Sequence, residues 1–226
     1  RITLAEKGLD WESHHINLKD LEHLEPWYVK LNPEGVVPTL DHGGKILTES
    51  NFIIEYLDET FPKISLRPDD PYERWKMRNW MHRFESILHK NINLISFVKQ
   101  NRMKRYEKFS EDEIINFLSR QVNAERKLSF EKRIRHGITE AEMQFAEDRI
   151  SEVLDEMDDA LQDKIWLNGP KLSLADISIA PFVERFEAND LKQLVDWQKR
   201  PALGAWWSRV QELPSYKTAF NFTIPG

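Results

Sequence analysis

The chain has 226 residues, a formal net charge of −6 and a sequence pI near 5.7, and this length accommodates one small and one larger domain. The acidic balance disfavours a general nucleic-acid binder, and the absence of cysteine excludes disulfides and a cysteine nucleophile within these residues. No apolar run approaches the roughly 20 residues that span a bilayer, and no signal-peptide cleavage pattern opens the chain. We therefore expect a cytoplasmic protein without a membrane partner.

The first residues predict the end of a helix and then a strand. Apolar residues recur at helical spacing over residues 2–9, and Gly8 supplies a stop. Trp11–Leu18 has a strand-like pattern, and a helical turn follows at Trp27–Leu31. The beginning of the first helix is expected to precede Arg1.

A β-hairpin is predicted next. Val36–Leu40 is apolar and β-branched, Gly43 and Gly44 supply a tight turn, and Lys45–Thr48 forms the return strand. The apolar side chains of Ile53–Leu57 then recur at helical spacing. The first ~60 residues thus alternate helix and strand, which is typical of an α/β domain.

Beyond the prolines at 62 and 68 the sequence predicts helices alone. Asp70 as N-cap, Pro71 at the first helical position and Glu73 at the third are typical of a helix start, because carboxylates satisfy free backbone amides. Ser173 and Asp176 are spaced as a second capping pair. The later predicted helices are Glu111–His136, Thr139–Leu161, Ile177–Phe186 and a helix that begins at Pro201.

Two polar clusters are interpreted as ordinary surface. One is a local basic run, in which the spacing is more typical of a solvated helix face than of a phosphate-binding stripe. Its members are Lys99, Arg102, Lys104, Arg105 and Lys108. The other is His14-His15, whose side chains face opposite ways on a strand and cannot converge on one ion. We expect no nucleic-acid partner and no metal.

Two segments carry a resemblance to a known family. Residues 31–40 read Leu-Asn-Pro-Glu-Gly-Val-Val-Pro-Thr-Leu, and Thr48-Glu49-Ser50 follows at the head of a helix. This pattern resembles the glutathione-binding half of the thioredoxin-like domain in cytosolic-type glutathione transferases. Residues 169–177, with Asp176, resemble a helix-start motif of the second domain in that family, where the aspartate serves folding.

The resemblance implies a glutathione site. A cis bond before Pro38 would turn the amide and carbonyl of Val37 outward to pair with the backbone of this tripeptide co-substrate. Ser50, at a helix N-terminus, would receive the γ-glutamyl carboxylate, and Glu49 would hold the ammonium group. The alternative for Glu49 and Ser50 is an ordinary helix cap. His23, fifteen residues before Pro38, matches a histidine that reaches the glycyl carboxylate in theta-like members; the alternative is a solvated loop histidine.

The same resemblance implies the fold class and domain organisation. We expect an incomplete thioredoxin-like α/β domain over residues 1–62, lacking its first strand, and an all-α domain over residues 69–226. The tyrosine, serine or cysteine that hydrogen-bonds the glutathione sulfur is expected upstream of Arg1, and the sequence does not choose among the three. Family members are generally two-fold dimers, so a homodimer is expected.

The resemblance also indicates a substrate class. Trp75, Arg78, His82 and Trp207 are candidates for the pocket that binds a small-molecule electrophile, with packing or surface roles as the alternative. Extra helix between Ser96 and Thr139 resembles bacterial branches that include β-aryl-ether-cleaving enzymes and reductive dehalogenases. Aromatic ethers or haloaromatics are therefore the expected substrates.

Three functions remain open at this point. The first is a glutathione transferase that ionises the glutathione thiol and directs it at an electrophilic carbon. The second is a glutathione-transferase-like interaction protein that keeps the fold without chemistry. The third is a glutathione-dependent thiol oxidoreductase, which requires a cysteine upstream of Arg1.

Overall fold

A computed structural model describes residues 1–99, 106–188 and 191–221 of the chain. Its N-terminal part combines three helices with one β-hairpin. The helices are α1 (Ile2–Glu6), α2 (Pro26–Leu31) and α3 (Ser50–Thr60), and the strands are β1 (Thr39–His42) and β2 (Lys45–Thr48). The predicted stop of the first helix is confirmed, because Gly8 adopts φ +62° just beyond α1. Trp11–Leu18 is not a strand, since its backbone pairs with no strand in the described residues.

The hairpin forms as predicted except at its start. β1 and β2 pair antiparallel with Thr39 opposite Thr48, and Gly43 and Gly44 take the positive φ angles of +61° and +81° that a tight hairpin turn requires. The prediction that the strand begins at Val36 was wrong. The Val36 carbonyl instead accepts hydrogen bonds of 2.7 Å from the Tyr28 hydroxyl and the Asn32 side-chain amide.

Helices account for the secondary structure of the remaining described residues, apart from one isolated bridge between Trp166 and Gly169. They are α4 (Pro71–Arg83), a π-helical segment (Phe84–His89), α5 (Lys90–Lys99), α6 (Glu111–Ser119), α7 (Ala124–His136), α8 (Glu140–Leu161), α9 (Leu174–Ala188), α10 (Lys192–Val195), α11 (Pro201–Glu212) and α12 (Pro214–Phe220). The predicted start of α4 is confirmed, because Asp70 Oδ1 accepts from the amides of Tyr72 and Glu73 at 2.9 Å each.

The helix predicted over Glu111–His136 is two helices, so that prediction was wrong. The break falls between α6 and α7 because the Asn123 side chain accepts from the Arg126 amide at 2.9 Å and starts a new helix. Packed aromatic rings join α6 and α7 to α5. They are Phe97, Tyr106, Phe117 and Phe130, with neighbouring ring centroids 5.2–6.1 Å apart. Of the basic run, Arg102, Lys104 and Arg105 lie outside the described residues.

The main hydrophobic core lies in the helical part. It is built from the inner faces of α4, the π-helical segment, α5, α8, α9 and α11. Its fully buried side chains include Phe84, Leu88, Ile92, Ile150, Leu154, Met157, Phe186 and Trp206. Burying a side chain of this size contributes about 1.5–3 kcal/mol each relative to exposure.

Asp176 organises this core from the first turn of α9. Its carboxylate is buried and accepts four hydrogen bonds of 2.8–3.0 Å, from the Leu167 amide, the Trp206 indole, and the amide and hydroxyl of Ser173. Burial raises the pKa of Asp176, and these hydrogen bonds oppose that shift. The predicted capping pair is therefore present, and Asp176 serves folding.

Neither a membrane span nor a metal cluster is found in residues 1–99, 106–188 and 191–221. No helix there is long and apolar enough to cross a membrane. No group of three or more histidine, aspartate or glutamate side chains there is placed to hold a metal ion.

Candidate functional site

The centre of the candidate site is the backbone of Val37. The Val37–Pro38 peptide bond is cis, as the sequence predicted, and Val37 is 42% exposed. Among the described residues, neither the amide nor the carbonyl of Val37 has a hydrogen-bond partner. The segment therefore offers one free donor and one free acceptor, which is what an extended peptide ligand pairs with.

The hairpin brings Glu49 to the same end as Pro38. Thr39 and Thr48 are paired across β1 and β2, so their outer neighbours Pro38 and Glu49 lie side by side. Glu49 is exposed and has φ +64°, a backbone angle that side-chain-bearing residues rarely adopt. Backbone strain of this kind costs of order 1–3 kcal/mol and concentrates at ligand sites.

Ser50 follows as the first residue of α3. The Glu49 side chain makes no capping hydrogen bond, and the Ser50 hydroxyl has no partner in the described part of the chain. The first amides of this 11-residue helix thus remain available at the positive end of its dipole. An ordinary cap therefore does not account for Glu49, and the arrangement can receive an anion.

Asn51 fixes the start of α3 against the helical part. Its side-chain NH2 group donates to the Met81 carbonyl at 3.3 Å, and its side-chain oxygen accepts from the Ser178 hydroxyl at 2.7 Å. Sequence reasoning missed this residue. The available signal was a second polar residue directly after Ser50 at the head of a predicted helix.

His23 lies in a short 3-10 turn, Glu22–Leu24, and is half-buried instead of freely solvated. Burial lowers its pKa, and the positive charges of Arg126 and Arg120 lower it further, so the imidazole is neutral at pH 7. Its Nδ1 atom is buried and has no partner among the described residues. A ligand would therefore contact His23 through Nε2.

Gly35 lies between the turn that carries His23 and the link between α6 and α7, which together we call the inserted helices. A Cβ atom at Gly35 would lie 3.0 Å from the side chains of Leu24 and Val122 and 3.2 Å from the His23 carbonyl. The φ of +57° also favours glycine at this position. The loop before Val37 is thus in direct contact with the turn that carries His23 and with the break between α6 and α7.

Three polar residues of the inserted helices, which sequence reasoning missed, contact these loops. Arg120 pairs with Glu25 at 2.7 Å, the Asn123 amide donates to Glu34 at 2.6 Å, and Arg126 donates to the Gly35 carbonyl at 3.3 Å. They are about 90 residues from their partners in sequence. No local pattern indicated that they would meet.

The four candidate electrophile-pocket residues have different environments. Trp75 is 57% exposed and stacks on Tyr72, Arg78 pairs with Glu55 at 2.6 Å, and His82 is exposed. Trp207 is 3% exposed and packs edge-on against Tyr216. Trp207 is therefore a core residue, and the other three belong to exposed helix surface.

Two protein-family models match the chain, one in its N-terminal part and one in its helical part. Residues 1–60 match the family described as glutathione S-transferase, N-terminal domain. Residues 125–207 match the family described as glutathione S-transferase, C-terminal domain.

Curated relatives and solved structures extend the likeness over nearly the full chain. Protein LigF of a Sphingobium strain is 30% identical over 97% of this chain and 86% of its own length. The crystal structure of β-etherase LigF has a TM-score of 0.87 at 29% identity and covers 97% of this chain and 91% of that one. The tetrachloro-p-hydroquinone reductive dehalogenase of Sphingobium chlorophenolicum is 26% identical over 97% of this chain and 89% of its own length.

Arabidopsis glutathione S-transferase TCHQD adds a plant relative, at 25% identity over 96% of this chain and 82% of its own length. The predicted fold class, a thioredoxin-like N-terminal part followed by a helical domain, is confirmed by these matches. The predicted β-etherase and dehalogenase-like branch is also supported. The chain belongs to the glutathione S-transferase family and is a glutathione transferase.

Proposed function

We propose that this transferase binds glutathione at the hairpin end formed by Val37, Pro38, Glu49 and Ser50 and directs its thiolate at an electrophilic aromatic ether or haloaromatic substrate. The observation that carries the proposal is that three features typical of a ligand site lie at one end of the hairpin. These are the free backbone groups of Val37, the positive φ of Glu49 and the uncapped start of α3.

Each part of glutathione has a partner in this arrangement. The backbone of its cysteinyl residue pairs with the amide and carbonyl of Val37. Its γ-glutamyl carboxylate binds at Ser50 and the first amides of α3, and its ammonium group binds Glu49. The glycyl carboxylate lies toward His23. Binding at several points fixes the position of the sulfur, and such positioning is a large part of the rate enhancement in a two-substrate reaction.

The substrate class is supported by the relatives that this chain resembles. One is named as a β-etherase and another as a reductive dehalogenase of a chlorinated hydroquinone. In ether cleavage, the thiolate sulfur would bond to the ether carbon while the C–O bond breaks and its electrons leave with the aryloxide. Aryloxides are good leaving groups, so the reaction needs a held thiolate and no further reductant.

Turnover of a β-aryl ether tests this proposal. The full-length protein is incubated with glutathione and a β-aryl ether that releases a fluorescent phenol, and 1-chloro-2,4-dinitrobenzene serves as a general conjugation substrate. We expect phenol release that depends on glutathione. Conjugation of the chloronitroarene alone would contradict ether cleavage and restrict the substrate class to haloaromatics. Glutathione binding without turnover of either compound would favour the non-catalytic interaction protein.

A homodimer and a cytoplasmic location complete the proposal. Phe52 on α3 and Tyr72 and Trp75 on α4 are 57–70% exposed, and aromatic side chains of this kind are enriched in protein interfaces. Light scattering on the purified protein is expected to give twice the chain mass. A monomeric mass would contradict the dimer.

A further inference from the structure

We propose that Arg126, on the inserted helix α7, is a glutathione-binding residue that receives the glycyl carboxylate together with His23. The inference rests on the proposed glutathione site and adds to it a specificity-determining residue from the helical domain. It assigns a function to the extra helices between Ser96 and Thr139.

The inserted helices are held against the site by specific contacts. Asn123, the N-cap of α7, donates to the Glu34 carboxylate at 2.6 Å, and Arg120 pairs with Glu25 at 2.7 Å. Val122 packs where a side chain at Gly35 would otherwise lie. These contacts fix the first turn of α7, and with it Arg126, beside the loop that leads to Val37.

The Arg126 guanidinium borders both His23 and the Val37 segment. Its Nη1 atom lies 3.3 Å from the Gly35 carbonyl and 3.5 Å from the Glu34 carbonyl. Gly35 also packs against the His23 carbonyl and stands two residues before Val37. A ligand whose backbone pairs with Val37 therefore passes close to Arg126.

The charge of Arg126 has no partner carboxylate in the described part of the chain. Arg126 is half-buried and forms no ion pair there, and its Nε and Nη2 groups make no hydrogen bond there. The adjacent Glu34 carboxylate is engaged by Asn123. A half-buried guanidinium without a directly paired carboxylate is costly, and a bound carboxylate offsets that cost through paired N–H···O bonds.

The surrounding charges agree with this geometry. Burial lowers the pKa of Arg126, and Glu34 and Glu49 oppose that shift, so Glu49 lies near enough for its charge to act on the guanidinium. The positive charge of Arg126 in turn helps to lower the pKa of His23, so these two side chains also lie near each other. Arg126 is thus flanked by the two residues proposed to hold the charged ends of glutathione.

A comparison of glutathione with γ-glutamylcysteine, which lacks the glycyl residue, tests the proposal. Calorimetric titration of the full-length protein is expected to show tighter binding of glutathione than of the dipeptide. In Arg126→Gln, glutathione binding should weaken at least about tenfold, as expected for the loss of a charged hydrogen bond, while dipeptide binding stays unchanged. Arg126→Lys should retain part of the preference because it keeps the charge.

Arg133→Gln is the matched control. Arg133 is another half-buried arginine of α7, but its guanidinium lies over the Phe97 ring at 5.6 Å, and the charge of Glu142 on α8 acts on it. Its substitution should leave both titrations unchanged. Equal weakening of tripeptide and dipeptide in Arg126→Gln, or no weakening of either, would overturn the role of Arg126. A wild-type protein that binds neither compound would overturn the glutathione site itself.

Discussion

At the scale of one residue, a carboxylate bound at His23 would make ligand binding depend on pH. Its pKa in the free protein is below the ordinary value, because burial and the charges of Arg126 and Arg120 disfavour the protonated ring. A carboxylate bound at Nε2 would stabilise the protonated ring and raise that pKa again. Binding would then be coupled to uptake of a proton.

The sign of the effect follows from these two pKa values. Affinity should rise as the pH falls through the pKa of the complex, and it should level off below the pKa of the free protein. We expect glutathione to bind several-fold more tightly at about pH 5.5 than at about pH 7.5. His23→Gln should remove most of this dependence, as measured by titration at both pH values. An unchanged slope in the variant would exclude contact between His23 and the ligand carboxylate.

At the scale of one element, the start of α3 combines a strained backbone with a side chain that we propose binds the ammonium group of glutathione. Glu49 has φ +64° and ψ 108°, which a residue with a Cβ adopts at a cost. No cap or ion pair of the Glu49 side chain is found in the described part of the chain to offset that cost. We infer that the strain is retained for the ligand.

Two substitutions separate the backbone from the carboxylate. Glu49→Gly should be more stable than Glu49→Ala by about 1 kcal/mol, because glycine tolerates positive φ. Both variants should lose most of their glutathione affinity, since both lack the carboxylate. Urea unfolding and calorimetric titration measure the two effects. If Glu49→Ala equals Glu49→Gly in stability, the backbone is not strained, and full affinity in either variant would exclude the carboxylate from the site.

The sequence correctly predicted the helix starts at which a capping side chain lies close in the chain to the amides that it binds. Asp70 and the Ser173–Asp176 pair place a capping side chain within three residues of the amides that it binds, so their helix starts were readable. The break between α6 and α7 was missed because Asn123 lies within a continuous helical pattern. The delayed start of β1 was missed because side chains of α2 engage the Val36 carbonyl.

At the scale of the molecule, the sequence predicted the family and five residues of the candidate site, His23 among them. Val37, Pro38, Glu49 and Ser50 lie within fourteen residues of each other, and their motif was recognisable. Arg126 was not predictable, because 91 residues separate it from the Gly35 carbonyl that it contacts. Only the folded arrangement, in which the inserted helices pack on the N-terminal loops, brings it to the site.

Specific contacts join the N-terminal part to the helical part near the candidate site. Asn51 ties the start of α3 to Met81 and Ser178 of the helical part, and the α6–α7 turn contacts the loop before Val37. Both parts of the molecule thus contact the proposed glutathione site. Substitutions that loosen the packing of the helical part should therefore lower the affinity for glutathione.

The most direct test is calorimetric titration of the full-length protein with glutathione, repeated with the Glu49→Ala, Ser50→Ala double variant. A matched double variant, Glu152→Ala with Ser208→Ala, changes the same residue types at exposed positions on α8 and α11. We predict saturable binding by the wild type and the matched variant and loss of binding in the site variant. Absence of binding by the wild type, or equal binding by all three, would contradict the glutathione site.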